Sequence, residues 1–155
     1  MKIGVISDTH GLLRPEVEHC LAGVAHIIHA GDIGAEHVLA ELRRIAPVTA
    51  IRGNVDTADW ARKYRETETV RLCGRTFYVL HDRNELKSKP APAGVDAVIS
   101  GHSHQVSITT VDGVLYLNPG SAGPRRFKLP ITLMTLDLGE SSEMRPIVHT
   151  LGQSS

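Results

Sequence analysis

The first third of the chain alternates short apolar runs with segments of helical periodicity. Pro15–Ala22 and Ala35–Ala46 repeat apolar residues at helical spacing and predict helices that end at Gly23 and Pro47. Short apolar runs before, between and after them predict strands at Lys2–Ser7, Val24–Ala30 and Val48–Arg52. This alternation is typical of βαβ units, which build a parallel sheet.

Beyond Val70 the pattern changes to short strands joined by tight turns. Gly74-Arg75 predicts the turn of one hairpin, and Asp112-Gly113 gives a type I′ signal for another. The charged segment Thr57–Thr67 is aperiodic and predicts a loop with room for one helical turn. The strands predicted in this half are Val70–Cys73, Thr76–Leu80, Asp96–Ser100, Val106–Val111, Val114–Leu117, Ile131–Leu138 and Arg145–Leu151.

The composition is that of a globular chain without a global charge. Hydrophobic residues make up 41% of the 155 residues and no linker or repeat divides them, so we expect a single domain over residues 1–155. The 17 basic and 17 acidic side chains cancel, so no global field attracts nucleic acid or an anionic membrane. We expect neither as a partner, and an anionic substrate must be attracted locally.

The cellular location is predicted from what the sequence lacks. The apolar stretch after Met1 is too short for an export signal, and no apolar run is long enough to span a membrane. Cys20 and Cys73 have no partner at metal-ligand spacing, so we expect both to be small buried hydrophobic residues. We therefore expect a cytoplasmic protein.

Polar residues follow the three strands predicted in the first third. Asp8 and His10 follow the first strand at two-residue spacing, which in an extended chain places both side chains on the same side. Asp32 and Asn54 follow the second and third strands, each after a glycine that lets the backbone turn sharply. Because ligands bind at the carboxyl ends of strands in open α/β sheets, we expect these side chains to converge.

Three histidines occupy the same kind of position in the second half. His81 follows the strand Thr76–Leu80, and His102 and His104 follow the strand that ends before Gly101. Taken singly, a strand-end Asp is often a turn former and a lone His is often a surface or core residue. Taken together, seven side chains of ligand type at five strand ends predict a metal site.

These motifs, in this order, resemble the calcineurin-like metallophosphoesterase superfamily. They are Asp8-Thr9-His10, Gly31-Asp32, Gly53-Asn54, His81 and Gly101-His102-Ser103-His104, and the match spans nearly the whole chain. With its short length and Asn118-Pro119-Gly120-Ser121, the chain looks like the small, cap-less bacterial and archaeal phosphodiesterases of the YfcE type. The resemblance implies an α/β fold: a four-layer α/β/β/α sandwich of two mixed sheets, the metallo-dependent phosphatase fold.

The resemblance also implies a binuclear metal centre. Two divalent ions would share the bridging Asp32, with Asp32 and Asn54 taking part in catalysis and Asn54 also contacting the substrate. One ion would be held by Asp8, His10, Asp32 and His104, and the other by Asp32, Asn54, His81 and His102. Oxygen and imidazole ligands are compatible with Mn, Fe, Zn, Co or Ni, and the resemblance favours Mn.

The implied function is metal-dependent hydrolysis of small phosphodiesters by a metal-activated hydroxide. Two alternatives remain at this point. One eukaryotic retromer subunit uses the same fold as a protein–protein scaffold, although its metal site is degraded. A nuclease-like phosphodiesterase is the other alternative, but the sequence shows no basic groove for it. A homo-oligomer is compatible with the sequence.

The sequence departs from the family pattern after two of the ligands. Many members have Gly-Asn-His-Asp, whereas this chain has Val55 in place of the histidine acid, which implies a preference for acidic, aryl-like leaving groups. Asp56 could replace that acid, but we favour a role in orienting its neighbours. His81 is followed by Asp82 where the family usually has glycine, so the backbone there has less freedom.

Several other polar residues have open roles. Arg125 and Arg126 could bind phosphate but are more typical of a solvated surface, and Asp82 or Arg83 could face the substrate. We expect His29 to pack or to hydrogen-bond near the site rather than to bind metal. The histidines expected at the surface or in packing contacts are His19, His26, His37 and His149.

Overall fold

The structure is a computed structural model that describes residues 1–126, 128–140 and 143–152. Ten strands form two five-stranded sheets. In chain order they are β1 Lys2–Ile6, β2 His26–His29, β3 Val48–Ala50, β4 Thr67–Leu72, β5 Arg75–Leu80, β6 Ala97–Ile99, β7 Val106–Val111, β8 Val114–Pro119, β9 Ile131–Leu138 and β10 Met144–Leu151. The helices are α1 Pro15–Cys20 and α2 Glu36–Arg43, with 3₁₀ helices at Asp59–Lys63 and Arg83–Lys87.

Both sheets are mixed. The first has the order β10-β9-β1-β2-β3, in which β1, β2 and β3 are parallel and β9 and β10 are antiparallel to their neighbours. The second has the order β4-β5-β6-β8-β7, in which β5, β6 and β8 are parallel and the two edge strands are antiparallel. The predicted α/β fold with two mixed sheets is confirmed.

Alternating side chains on the strands separate the hydrophobic layers. On β1, Ile3 and Val5 pack between the two sheets, while Ile6 packs against α1 and α2 on the outer face. On β5, Phe77 and Val79 face the layer between the sheets, and Tyr78 and Leu80 face outward. Leu86, from the 3₁₀ helix Arg83–Lys87, packs on that outer face, so the fourth layer is a short 3₁₀ helix.

The hairpin turns follow from local backbone chemistry. Asp112 and Gly113 both have positive φ, at 51° and 79°, as the predicted type I′ turn requires. The first hairpin turns one residue earlier than predicted, because Cys73 and Gly74 are the pair with positive φ and Arg75 already belongs to β5. Cys73 is therefore exposed, and the prediction that it is buried was wrong.

The segment Thr57–Thr67 contains the predicted helical turn, as the 3₁₀ helix Asp59–Lys63. The strand predicted from Val70 begins earlier, at Thr67, because the alternating Thr67 and Thr69 pair with Leu80 and Tyr78 of β5. In the described residues, no helix is long and apolar enough to cross a membrane. The single domain over residues 1–155 stays a prediction, and residues 153–155 lie outside the described part.

The layer between the sheets should be essential for stability, because it holds the strands that carry the candidate ligands. Phe77 is fully buried there, on the strand that leads to His81. We expect Phe77→Ala to lower the free energy of unfolding by about 3–5 kcal/mol. Urea unfolding followed by circular dichroism measures this loss. Val111→Ala, at a site 45% exposed, is the control, and an equal loss in both variants would contradict this packing.

Candidate metal centre

Six of the seven predicted ligands lie in two compact groups at the carboxyl edges of the sheets. In each group, one ligand atom from every member lies within 4.8 Å of the others. Asp8, His10 and His104 form the first group, and Asp32, His81 and His102 form the second. The predicted ligand sets divide the histidines in the same way, but they place Asp32 in both sets, whereas this grouping places it in the second alone.

Asn54, the seventh predicted ligand, lies beside the second group. Its side chain is exposed and lines a cavity of about 210 Å³ together with His81 and His102. The amide therefore faces the same space as two candidate ligands. The structure thus brings all seven predicted residues to one region.

The backbone at these ligands is left-handed. Five of the seven non-glycine residues with positive φ in the described chain are candidate ligands: Asp8, His10, Asp32, His102 and His104. Asp and His tolerate this region better than most residues. Asp8 and His10 lie together as expected, but the extended conformation expected for them was wrong. Their φ angles are 56° and 47°, which is left-handed backbone.

Hydrogen bonds between the two ligand loops hold this conformation. The Asp8 N–H donates to Gly31 O at 3.0 Å, and the His10 N–H donates to Asp32 O at 2.9 Å. The pairing of β1 with β2 therefore continues past the end of the sheet. Contacts of this kind let a protein retain backbone conformations that are unfavourable by themselves.

One carboxylate oxygen of Asp8 is held by donors, and the other faces imidazoles. Oδ2 accepts hydrogen bonds from Ser7 Oγ at 2.7 Å and from the His102 N–H at 3.1 Å. Oδ1 is buried and has no hydrogen-bond partner among the described residues. It lies 3.4 to 3.7 Å from the Nε2 atoms of His10, His81 and His104.

Asp32 is arranged in the same way, and its Oδ2 faces one histidine of each group. Oδ1 accepts a hydrogen bond from the Val55 N–H at 3.1 Å. Oδ2 lies 3.7 Å from His10 Nε2 and 3.1 Å from His81 Nε2. Burial opposes ionisation of this carboxyl, but the contact with His81 and the Val55 N–H lower the pKa of Asp32 to about 2. Asp32 is therefore a carboxylate at neutral pH.

His81 is oriented by a backbone carbonyl. Its Nδ1 donates to Ala30 O at 2.8 Å, which directs Nε2 toward Asp8 and Asp32. Burial favours the neutral imidazole, but these two carboxylates raise the pKa of His81 to about 9. Asp82, which follows it, has φ −116°, so this backbone needs no glycine.

The donor set fits divalent metal ions. Four of its buried atoms have no hydrogen-bond partner in the described structure, namely Asp8 Oδ1, His10 Nε2, His81 Nε2 and His104 Nδ1. Buried polar atoms without partners are costly. The unpaired Nε2 atoms of His10 and His81 both lie within 3.7 Å of Asp8 Oδ1 and Asp32 Oδ2, which is typical of ligands directed at a cation. Carboxylate and imidazole donors without thiolates suit Mn, Fe, Zn, Co or Ni.

Asp56 holds two of the ligand loops together. Its buried carboxylate accepts backbone N–H groups from Ile33 at 3.0 Å, Gly34 at 2.9 Å and Gly53 at 2.8 Å. It therefore orients its neighbours, as we favoured from the sequence. Gly53 has no positive φ, and a side chain there would lie 2.2 Å from Asp32 Oδ1, so this glycine permits close approach rather than a sharp turn.

His29 supports the site without lying in it. Its Nδ1 accepts the Gly31 N–H at 3.1 Å, and its Nε2 donates to Thr9 Oγ1 at 3.0 Å. Thr9 in turn donates to Ile33 O at 2.8 Å. Burial lowers the pKa of His29 to about 4, so the ring is neutral and the predicted supporting role is confirmed.

The segment Asn118–Ser121 braces the loops that carry Asp8, His102 and His104. Asn118 Nδ2 donates to Gly101 O at 2.9 Å, and Ser121 Oγ donates to Asp8 O at 3.0 Å. The sequence contained this motif, but it did not indicate which loops the motif would contact. These supporting residues, with Ser7, are the ones that sequence reasoning missed.

The remaining candidates lie outside the two groups. Arg125 and Arg126 are exposed. Burial lowers the pKa of His104, and the positive charge of Arg126 lowers it further. Among the other histidines, His19 is exposed, as expected. The rest make hydrogen bonds at the surface or in packing contacts: His26 with Thr49, His37 with Glu41, and His149 with Thr135.

Replacing the Asp56 carboxylate should weaken both stability and metal binding. In Asp56→Asn, an NH₂ group faces backbone N–H donors, so we expect a loss of about 2–4 kcal/mol in the free energy of unfolding. Metal affinity should fall by about 10- to 100-fold, because the loops of Asp32 and Gly53 lose their common anchor. Urea unfolding and metal titration measure the two effects. Asp59→Asn, at a side chain 93% exposed, is the control, and an equal result would refute the anchoring role.

Known proteins are similar to this chain over nearly its whole length. A probable metallophosphoesterase of Methanothermobacter thermautotrophicus is 35% identical over 151 residues, which cover 90% of this chain and 88% of that protein. A phosphodiesterase of Methanocaldococcus jannaschii is 30% identical over 167 residues, which cover 96% and 99%. The crystal structure of Vps29 from Entamoeba histolytica complexed with Zn²⁺ superposes with a TM-score of 0.80 and 26% identity, covering 100% of this chain and 95% of that one.

The family model for the calcineurin-like phosphoesterase superfamily domain matches residues 1–141. That range includes every candidate ligand and nine of the ten strands. The chain therefore belongs to the calcineurin-like phosphoesterase superfamily.

Proposed function

We propose that this chain hydrolyses small phosphodiesters with two divalent metal ions. One observation carries the proposal: four buried donor atoms without hydrogen-bond partners among the described residues belong to the two groups, and Asp32 contacts histidines of both. A structural role alone gives no reason to leave such atoms unpaired. The archaeal phosphodiesterase relative supports the reaction class.

The proposed ligand sets share Asp32. Asp8, His10, Asp32 and His104 would hold one ion, and Asp32, Asn54, His81 and His102 would hold the other. When bound, the two ions supply an activated water and neutralise the charge that develops on the phosphoryl oxygens. We favour Mn, and the same donors accept Fe, Zn, Co or Ni.

The chain's own residues prepare the site for an anionic phosphate. Asp8 and Asp32 are the two carboxylates among the grouped ligands of the described residues, and each directs one oxygen toward hydrogen-bond donors. Asn54 is exposed at the cavity and offers an amide to a phosphate oxygen. This local arrangement accounts for phosphate binding by a chain of zero formal charge.

In the proposed site, no general acid protonates the leaving group. Val55 stands where many family members carry the histidine acid, and it is 44% exposed beside Asp32. Asp56 is not a replacement, because its carboxylate is buried and occupied by backbone donors. The proposed enzyme therefore acts best on phosphodiesters whose leaving group needs no protonation.

The alternative functions are distinguished by the site itself. A protein–protein scaffold does not require metal donors, and the two groups of donor residues therefore favour the enzyme over the scaffold. A nuclease-like role requires a surface for a long polyanion, which a balanced charge does not favour. We also propose a cytoplasmic location, which is consistent with the free thiols of Cys20 and Cys73. A homo-oligomer stays a prediction.

Asp32→Asn tests the bridging carboxylate. We expect activity on bis(4-nitrophenyl) phosphate to fall at least about 100-fold, because both ions lose a charged ligand. Phosphodiesterase activity is measured across a panel of divalent metals. Metal content is measured after gel filtration. Asp112→Asn, in the distant β7–β8 turn, is the control. Activity without added metal, or full activity in Asp32→Asn, would refute the proposed centre.

The absence of the histidine acid predicts a steep dependence of rate on leaving-group acidity. Across methyl aryl phosphates, kcat/KM should fall sharply as the pKa of the phenol rises. Val55→His should flatten this dependence and raise the rate on the least acidic leaving groups by about 10- to 100-fold. Val55→Leu controls for side-chain volume. A shallow slope in the unaltered chain would show that another group protonates the leaving oxygen.

A further inference from the structure

A second cavity adjoins the candidate metal centre. Its volume is about 350 Å³, and it shares Asp82 and His102 with the cavity that contains Asn54. A space of this size accommodates an organic group the size of a nucleoside. Because a phosphodiester carries two substituents, a phosphate at the metal centre can direct one of them into this second cavity.

Arg83 supplies the positive charge of the second cavity. It is exposed, and it is the single Lys or Arg among the lining residues in the described chain. No carboxylate of the described residues lies within 4.0 Å of its guanidinium. Asp82 is the single carboxylate of that lining, and its oxygens are directed elsewhere: Oδ1 accepts the Asn84 N–H at 3.0 Å, and Oδ2 lies 3.8 Å from His102 Nε2.

The Arg83 guanidinium is held over an aromatic ring. Its central carbon lies 4.8 Å from the centroid of the Tyr116 ring, which is a cation–π contact. Tyr116 belongs to β8 in the second sheet, and Arg83 begins the 3₁₀ helix two residues after His81. The contact restricts a long side chain that would otherwise sample many rotamers, so less entropy is lost when a ligand binds.

The cations of the other cavity are arranged differently. Lys89 contacts Glu85 at 2.7 Å and Glu66 at 3.1 Å, and Arg52 contacts Glu66 at 3.6 Å. Their charges are already compensated within the protein. Of the two cavities beside His102, the one lined by Arg83 therefore offers a cation without a carboxylate partner in the described structure.

We propose that Arg83 binds an anionic group, a second phosphate or a carboxylate, on one ester substituent of the substrate. Tyr116 is the positioning residue that holds the guanidinium in place. The proposal rests on the proposed function, because the scissile phosphate occupies the metal centre. A guanidinium binds phosphate and carboxylate oxygens through paired N–H groups, and this selects charged over neutral substituents.

A matched pair of substrates tests this selection. Thymidine 5′-(4-nitrophenyl phosphate) and its 3′-phosphorylated form have the same leaving group and differ by one anionic group. We expect the unaltered chain to prefer the 3′-phosphorylated form by about tenfold in kcat/KM, mainly through KM. Arg83→Gln should abolish this preference. Lys87→Gln removes one charge from the same 3₁₀ helix and should preserve it.

The role of Tyr116 has its own readout. Tyr116→Phe keeps the aromatic face and should keep the preference, whereas Tyr116→Leu should reduce it about threefold. Activity of every variant on bis(4-nitrophenyl) phosphate reports the proposed function separately. Equal preference in the unaltered chain and Arg83→Gln, or an equal loss in Lys87→Gln, would overturn the assignment of Arg83.

A binding measurement tests the same assignment without turnover. Calorimetric titration of the Mn²⁺-loaded protein compares thymidine 3′,5′-bisphosphate with thymidine 5′-monophosphate. We expect the bisphosphate to bind about tenfold more tightly to the unaltered chain and no more tightly to Arg83→Gln. Equal affinities in the unaltered chain would refute the inference even if no diester were hydrolysed.

Discussion

The structure depends on two carboxylates that are buried at the ends of β1 and β2. Asp8 is 0% exposed and Asp32 is 3% exposed, and burial of a carboxylate is unfavourable unless donors or cations compensate it. Each residue has one oxygen that accepts hydrogen bonds from its own or a neighbouring loop. The other oxygen of each faces histidines, so the remaining compensation has to come from protonated imidazole or from metal.

This requirement explains the density of supporting contacts around the site. The left-handed conformation of the ligands costs about 1–3 kcal/mol at each residue, and it persists where surrounding contacts determine it. The loops of β1 and β2 hydrogen-bond to each other, Asp56 ties the second loop to the third, and Asn118 holds the loop of His102. These contacts hold the donor atoms in place, as the proposed binding of metal ions and phosphate requires.

The surroundings of the site explain how one fold can be adapted to a particular substrate. The candidate metal ligands follow strand ends, whose positions are fixed by packing between the two sheets. Val55, Asp82 and Arg83 lie in the connections that follow Asn54 and His81, and such connections tolerate substitution more easily than strands do. The proposed leaving-group preference and substrate charge can therefore change while the candidate metal ligands are preserved.

Much of the fold and the site was predictable because it depends on local or periodic features. Apolar alternation identified the strands of both sheets, and Asp112-Gly113 identified its turn, because backbone chemistry alone selects that conformation. The seven ligand-type residues were predictable because the ends of parallel strands meet at one edge, whatever the loops between them do. The order of those residues also matched a family pattern that covers most of the chain.

What the sequence could not determine depends on contacts between distant segments. The left-handed backbone of Asp8 and His10 is set by hydrogen bonds to the loop of Asp32, about two dozen residues away. The three bonds to Asp56, the contact that requires Gly53, and the placement of Arg83 on Tyr116 likewise arise only after the chain has folded. The sequence by itself determined which residues could bind metal and where the strands would bring them. The tertiary structure decided how each one is held, because that depends on atoms no local pattern brings together.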